Sequence, residues 1–241
     1  MVGWITYRQA RGWRVALDQR TVCALPLLAA EIPLRPGLGE KAVRRRTERA
    51  AALLAQAGCR RALAPPGFPH WDVLEDRGLR RVDPAPLCQA LAAPLALAAL
   101  ERMGLEPGRA TVELRGARVG RSFFQAAQAL CPAVRRLVIA APSGGEALAA
   151  YLRSEYGVPV LEQGAGAAPD VTVRFSPEPG GAGNTLSLCP PAPFLAGLGL
   201  RARGRTLPEG AQALPLLALL WEEGRLGLDE IESFPMPRAG N

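Results

Sequence analysis

A chain of 241 residues, 49% hydrophobic and 21% charged, is long enough for one sizeable core or two small α/β domains, and its balance is that of a soluble globular protein. Its formal charge of +7 and pI near 9.8 raise nucleic acid as a partner. Yet Lys41 is the only lysine among 29 basic residues, and arginine in excess beside abundant Ala, Gly and Pro is also what a GC-rich genome yields at indifferent surface positions.

Five cysteines (Cys23, Cys59, Cys88, Cys131, Cys189) are odd in number and never form CxxC, which speaks against a disulfide framework or a zinc site and for a reducing compartment. The N-terminus lacks the apolar core of a signal peptide. The greasiest stretch, Ala90 to Leu100, is interrupted by Pro94 and is well short of the ~20 residues that span a bilayer. A cytoplasmic location is expected.

In chain order, residues 4–34 read as strands, with Trp13, Val15 and Leu17 alternating with Arg14, Ala16 and Asp18. Thr21 to Leu34 is a longer apolar run in which Pro26 predicts an edge position or a break into two strands. Val43, Thr47, Ala50 and Leu54 then recur at helical spacing over 40–57, with Arg45, Arg46 and Arg49 largely off that stripe. A short strand at 61–64, the loop PPGFPHW, a short helix at 71–76 and a strand at 79–82 follow. Pro84 to Met103 reads as a connecting helix that Pro94 kinks or splits. The domain boundary is therefore placed near 106, giving an N-terminal α/β lobe with connector helix at 1–105 and a second lobe at 106–241.

The most legible stretch is Thr111 to Leu161. TVELRG is a strand, SFFQAAQAL a helix, RRLVIAA a strand, ALAAYLRSEYG a helix and VPVL a strand. Beyond it, EQGAGAAP offers no helix, and DVTVRF and NTLSLC, separated by a Gly-rich loop, predict an antiparallel hairpin and hence a mixed sheet. The tail carries the basic patch LAGLGLRARGR, read as a mobile loop, an amphipathic helix at 209–223, a short helix LDEIESF and a frayed PMPRAGN.

Chemistry concentrates at the first strand–helix turn, Gly116-Ala117-Arg118-Val119-Gly120-Arg121-Ser122. Glycines before a helix N-terminus suit a phosphate, to which Arg118 and Arg121 would add charge; the competing reading, which weighs more, is that Gly120 only permits tight helix–strand packing in a sheet that binds nothing. The second strand ends Ala141-Pro142-Ser143-Gly144-Gly145-Glu146. Ser143 is compatible with a 2′-phosphate, and Ser143-x-x-Glu146 is equally a capping-box spacing. His70, the only histidine, lies at a strand end, where packing with Phe68 and Trp71 competes with an acid–base role; alone it is no metal site. No GxSxG occurs, and no lysine is placed for a Walker loop. The groups Arg44-Arg45-Arg46 with Arg49, and Arg201, Arg203 and Arg205, have no aromatic stacking platform near them in sequence.

Residues 109–176 resemble the nicotinamide-binding lobe of shikimate dehydrogenase-type proteins, whose GxGxVGR turn is one residue longer and keeps a middle glycine. None of that family's catalytic residues carries across. The resemblance implies an α/β fold with a Rossmann-like, mostly parallel sheet, flanked here by the smaller N-terminal lobe and a C-terminal helical extension. The leading expectation is a non-catalytic or atypical Rossmann-like protein that binds a nucleotide or phosphate-bearing small ligand through Gly116, Arg118, Gly120, Arg121, Ser122, Ser143 and Gly144, with no metal and no membrane. NADP is a candidate cofactor. A divergent NADP-dependent oxidoreductase and an arginine-rich nucleic-acid-binding protein are the alternatives.

Overall fold

In the computed structural model, which describes residues 1–162, 168–178, 183–190, 192–208 and 210–236, the chain divides into two units. Met1–Val82 and Ala202–Gly227 form one, Asp83–Arg201 and Leu228–Asn241 the other. The divide thus falls at Val82, not near 106. The expected connector belongs wholly to the second unit, and part of the tail returns to the first.

In the first unit the strands are β1 (Val2–Gln9), β2 (Ala16–Val22) and β3 (Leu25–Leu34); of the alternating residues only Leu17 is on a strand, and Trp13 and Val15 lie in the loop before β2. Cys23 and Ala24 close the β2–β3 hairpin with φ of 46° and 60°, the mirror-image turn that matches strand twist but strains a residue bearing a Cβ. Replacing them by Asn-Gly should raise stability by about 1–2 kcal/mol. A rightward shift of the urea midpoint would report this, and an unmoved midpoint would mean the turn is unstrained.

Pro26 neither breaks β3 nor marks an edge. Val22 and Leu25 flank the two-residue turn as a hydrogen-bonded pair, so alternation turns the Pro26 nitrogen away from β2. On that other side β1 begins only opposite Leu27. Pro33 is the converse case, facing β2's side where β2 starts only opposite Glu31. Both prolines stand where no ladder bond is required.

The strands β4 (Arg61–Leu63) and β5 (Arg80–Arg81) complete a sheet of order β2-β3-β1-β4-β5, parallel except for β2. Helices α1 (Glu40–Gln56) and α2 (Trp71–Glu75) supply Ala50, Ala51, Leu54, Val73 and Leu74 to a core with Ile5, Ala30 and Ile32.

The second unit opens with α3 (Ala85–Ala90) and α4 (Ala92–Arg102), split at Leu91. Pro94 has no N–H to give the Ala90 carbonyl and its ring would clash there. The strands β6 (Thr111–Arg115), β7 (Arg136–Ala140), β8 (Val160–Glu162), β9 (Val171–Arg174) and β10 (Thr185–Ser187) follow, with α5 (Arg121–Leu130) and α6 (Gly145–Tyr156) crossing between the first three. Their order is β10-β9-β6-β7-β8, every pair parallel. The expected hairpin is therefore corrected, because β10 runs alongside β9 with Thr185 beside Thr172. Thr185 and Leu186 of β10 are buried, as suits a strand in a parallel sheet. The segment read as lacking a helix, EQGAGAAP, lies largely outside the described residues.

In the tail, β11 (Leu198–Ala202) pairs with β12 (Ile231–Pro235), and α7 (Ala213–Glu222) lies between them in sequence. Arg61 binds Glu222 and, at 3.0 Å, Glu223, tying the end of α7 into the first unit. LDEIESF is not a helix. After a 3-10 turn at Leu228–Glu230 it becomes β12, because pairing with β11 satisfies more backbone than a marginal seven-residue helix could. Nor is Arg201 in a loop, since it sits on β11, 2.7 Å from Glu232. Most of PMPRAGN lies outside the described residues. Among those described, no helix is long and apolar enough to cross a membrane.

Cys59, Cys88, Cys131 and Cys189 are buried, while Cys23 is half-buried. Burial, and then the charge of Asp83, pushes the Cys88 thiol up to about 12, and burial also raises Cys59 and Cys131. Alkylation of the native protein at mildly alkaline pH, followed by mass spectrometry, should therefore label Cys23 first and spare Cys88 until the chain unfolds. Early labelling of Cys88 would contradict its burial.

Candidate functional site

Counting from β6, the second sheet runs 3-2-1-4-5, and its order reverses between β6 and β9. In open α/β sheets the crevice beyond the carboxyl ends of the strands at such a reversal is where ligands bind. A cavity of about 370 Å³ lies there. It is lined by Ala117, Arg118, Gly120, Arg121, Ser122 and Phe123 after β6, by Phe175, Ser176 and Pro177 after β9, and by Gln89 of α3.

Gly120 is the N-cap of α5, and no side chain caps the helix. The first N–H groups of α5 therefore lack helical partners and give this end a partial positive charge. A Cβ built on Gly120 would meet nothing within 4 Å, so packing does not demand a glycine here; its missing side chain leaves the helix end open. Gly116 does not line the cavity but lies buried under it, where a Cβ would sit 3.4 Å from the Phe175 Cβ and 3.5 Å from the Phe123 ring. The two rings stand 5.0 Å apart. Arg118 and Arg121 are exposed at the rim, and Ser122 is half-buried.

Ser143 and Gly144 do not line this cavity. The Val119 N–H donates to the Ser143 carbonyl at 2.9 Å, and Arg118 and Ser143 form a parallel bridge. Val119 also packs on Gly144, whose absent Cβ would lie 3.4 Å away. The turns after β6 and β7 are thus joined where a dinucleotide's adenosine ribose would reach the end of the second strand. The Ser143-x-x-Glu146 capping box does not form either. Gly144 itself caps α6, at φ 83°, without a side-chain hydrogen bond.

A polar network underlies the β6–β9 junction. Buried Glu113 accepts from Arg115 at 3.0 Å and from the Thr172 hydroxyl at 3.2 Å, and Arg115 reaches Glu178 at 3.4 Å. The Glu113 hydrogen bond, against an opposing effect of burial, holds the Arg115 guanidinium above its usual range. This network ties the ends of both strands to residue 178, just past Pro177 of the cavity wall.

His70 is buried in the first unit at the start of α2, edge-on to Phe68 with ring centres 6.1 Å apart, as packing rather than chemistry would place it. Among the described residues no three His, Cys, Asp or Glu side chains converge as a metal site. The residues after β9 and Gln89 escaped the sequence reading because only the strand order brings them to the β6 turn.

Strand order, with a crevice at the reversal and an uncapped helix end beside it, gives the second unit a Rossmann-like architecture. No family model matches the sequence, and no curated protein matches it. Similar solved structures include L-tryptophan dehydrogenase from Nostoc punctiforme, at 15% identity and a TM-score of 0.30 over 61% of this chain and 44% of that one. A shikimate 5-dehydrogenase-like protein is 15% identical with a TM-score of 0.25, over 61% of this chain and 55% of that one. Arylmalonate decarboxylase is 14% identical with a TM-score of 0.21, over 70% and 94%. The chain spans about half the length of the two dehydrogenase-type proteins, and the likeness is one of fold alone.

Proposed function

We propose that the second unit binds a small phosphate-bearing ligand, of mononucleotide size or less, at the amino end of α5. The observation that carries this reading is the open cavity at the strand reversal, with Gly120 facing empty space at an uncapped helix end. Arg118, Arg121, Ser122 and Ser176 add charge and hydrogen bonds around it. At about 370 Å³ the cavity is near the small end of ligand pockets, roughly 300–1,000 Å³. The joined β6 and β7 turns weigh against NADP in the ordinary dinucleotide pose, and so against the oxidoreductase alternative. Among the described residues the wall has no carboxylate, imidazole or thiol, which favours holding an anion over moving a proton.

A thermal-shift panel of inorganic phosphate, mononucleotides, NAD and NADP tests this reading. A ligand at 100 times its dissociation constant stabilises by about 2.7 kcal/mol. Mononucleotides should raise the midpoint at least as much as NADP does, and Gly120→Val should abolish the rise. No shift with any of them would remove the proposal.

A further inference from the structure

We propose that the first unit binds single-stranded nucleic acid across the 10–15 loop and α1, with Trp13 as the platform for a base and basic residues of α1 on the phosphates. The first observation is where the charge lies. The first unit has 18 basic and 10 acidic residues, a net +8, while the second has 11 basic and 12 acidic, a net −1. A genomic preference for arginine would load both units alike. The whole excess sits on one of them, as an electrostatic footprint requires.

The second observation is a juxtaposition that the sequence conceals. Trp13 is 59% exposed, an unusual state for so large an apolar ring. The guanidinium of Arg49 on α1 lies 5.5 Å from its centre and that of Arg14 lies 5.7 Å away. These contacts fix the ring beside the helix. The α1 arginines therefore do have an aromatic neighbour, 36 residues away in sequence.

Lys41, Arg45 and Arg49 follow at i, i+4 and i+8, an exposed stripe with one charge about every 6 Å along the helix. Successive phosphates of an extended strand could be met at such a spacing. None of the three has a carboxylate partner among the described residues. By contrast Arg44 is held 2.6 Å from Asp72, and Arg46 donates to the Pro33 carbonyl. An exposed ring needs the free face of an unpaired base, which favours a single strand over a duplex.

The test is fluorescence anisotropy of a dye-labelled oligouridylate with the full chain, competed by unlabelled oligouridylate, a duplex, heparin and phosphatidylserine vesicles. Binding should weaken steeply with salt, and the unlabelled strand should compete best. Trp13→Ala should weaken binding about tenfold, and Trp13→Phe should restore most of it. Arg45→Ala with Arg49→Ala should lower the slope of log affinity against log salt by about 1.4. Because these side chains are exposed, the variants should keep the parent's melting midpoint. Absence of binding at low salt, indifference to Trp13→Ala, or equal competition by duplex, heparin or vesicles would overturn the proposal. None of these outcomes depends on the small-ligand cavity of the second unit.

Discussion

Phe123→Ala should destabilise the second unit by about 3–5 kcal/mol, the usual cost of removing a buried aromatic ring. Phe123 is 1% exposed and stacks at a tilt on Phe175 with ring centres 5.0 Å apart. It joins α5 to the ends of β6 and β9 and so floors the cavity. Deleting the ring opens a void between a strand end and a helix, where backbone cannot collapse to fill it. Urea unfolding followed by circular dichroism would measure the change, and Phe123→Leu should lose distinctly less. A loss under 1 kcal/mol for the alanine variant would mean that this contact does not fix the cavity floor.

Glu113→Ala should cost about 2–3 kcal/mol. A fully buried pair broken on one side costs about 3–5 kcal/mol, and partial exposure of the arginine lowers that. The Glu113 side chain is 8% exposed and Arg115 29%. The Arg115 Nε is already buried without a hydrogen-bond partner, so losing Glu113 leaves this guanidinium with Glu178 alone, at 3.4 Å. The Thr172 hydroxyl also loses its acceptor. Glu113→Gln, which keeps an acceptor but not the charge, should fall between parent and alanine variant in urea midpoint. If the alanine variant were as stable as the parent, the network would be incidental to the strand ends it joins.

Much of the second unit was legible because its signals are local. Leu137, Val138 and Ile139 in succession announce a strand buried on both faces, and Phe123, Ala127 and Leu130 announce a helix packed along one side. What escaped depended on strand order. Whether β10 runs with or against β9 is not written in the residues of either strand, since both alternate equally well in either direction. The same blindness hid Phe175, Ser176 and Pro177 from the β6 turn. Ser143-x-x-Glu146 misled for another reason. The spacing fits a capping box, but a parallel bridge to Arg118 takes the Ser143 backbone, and Gly144 in a left-handed conformation begins α6 instead. In the first unit, Pro26 read as a strand breaker because the positions at which its neighbours end are invisible in sequence.

The most direct measurement of the central claim is the shift of assigned backbone amide resonances when inorganic phosphate, and then adenosine monophosphate, is added to isotope-labelled protein. The amides of Arg121, Ser122 and Phe123, at the open end of α5, should move in a saturable way together with Ser176, while Ser143 and Gly144 stay still. Saturable shifts centred on Ser143 and Gly144, or none at α5, would contradict a phosphate site at the strand reversal.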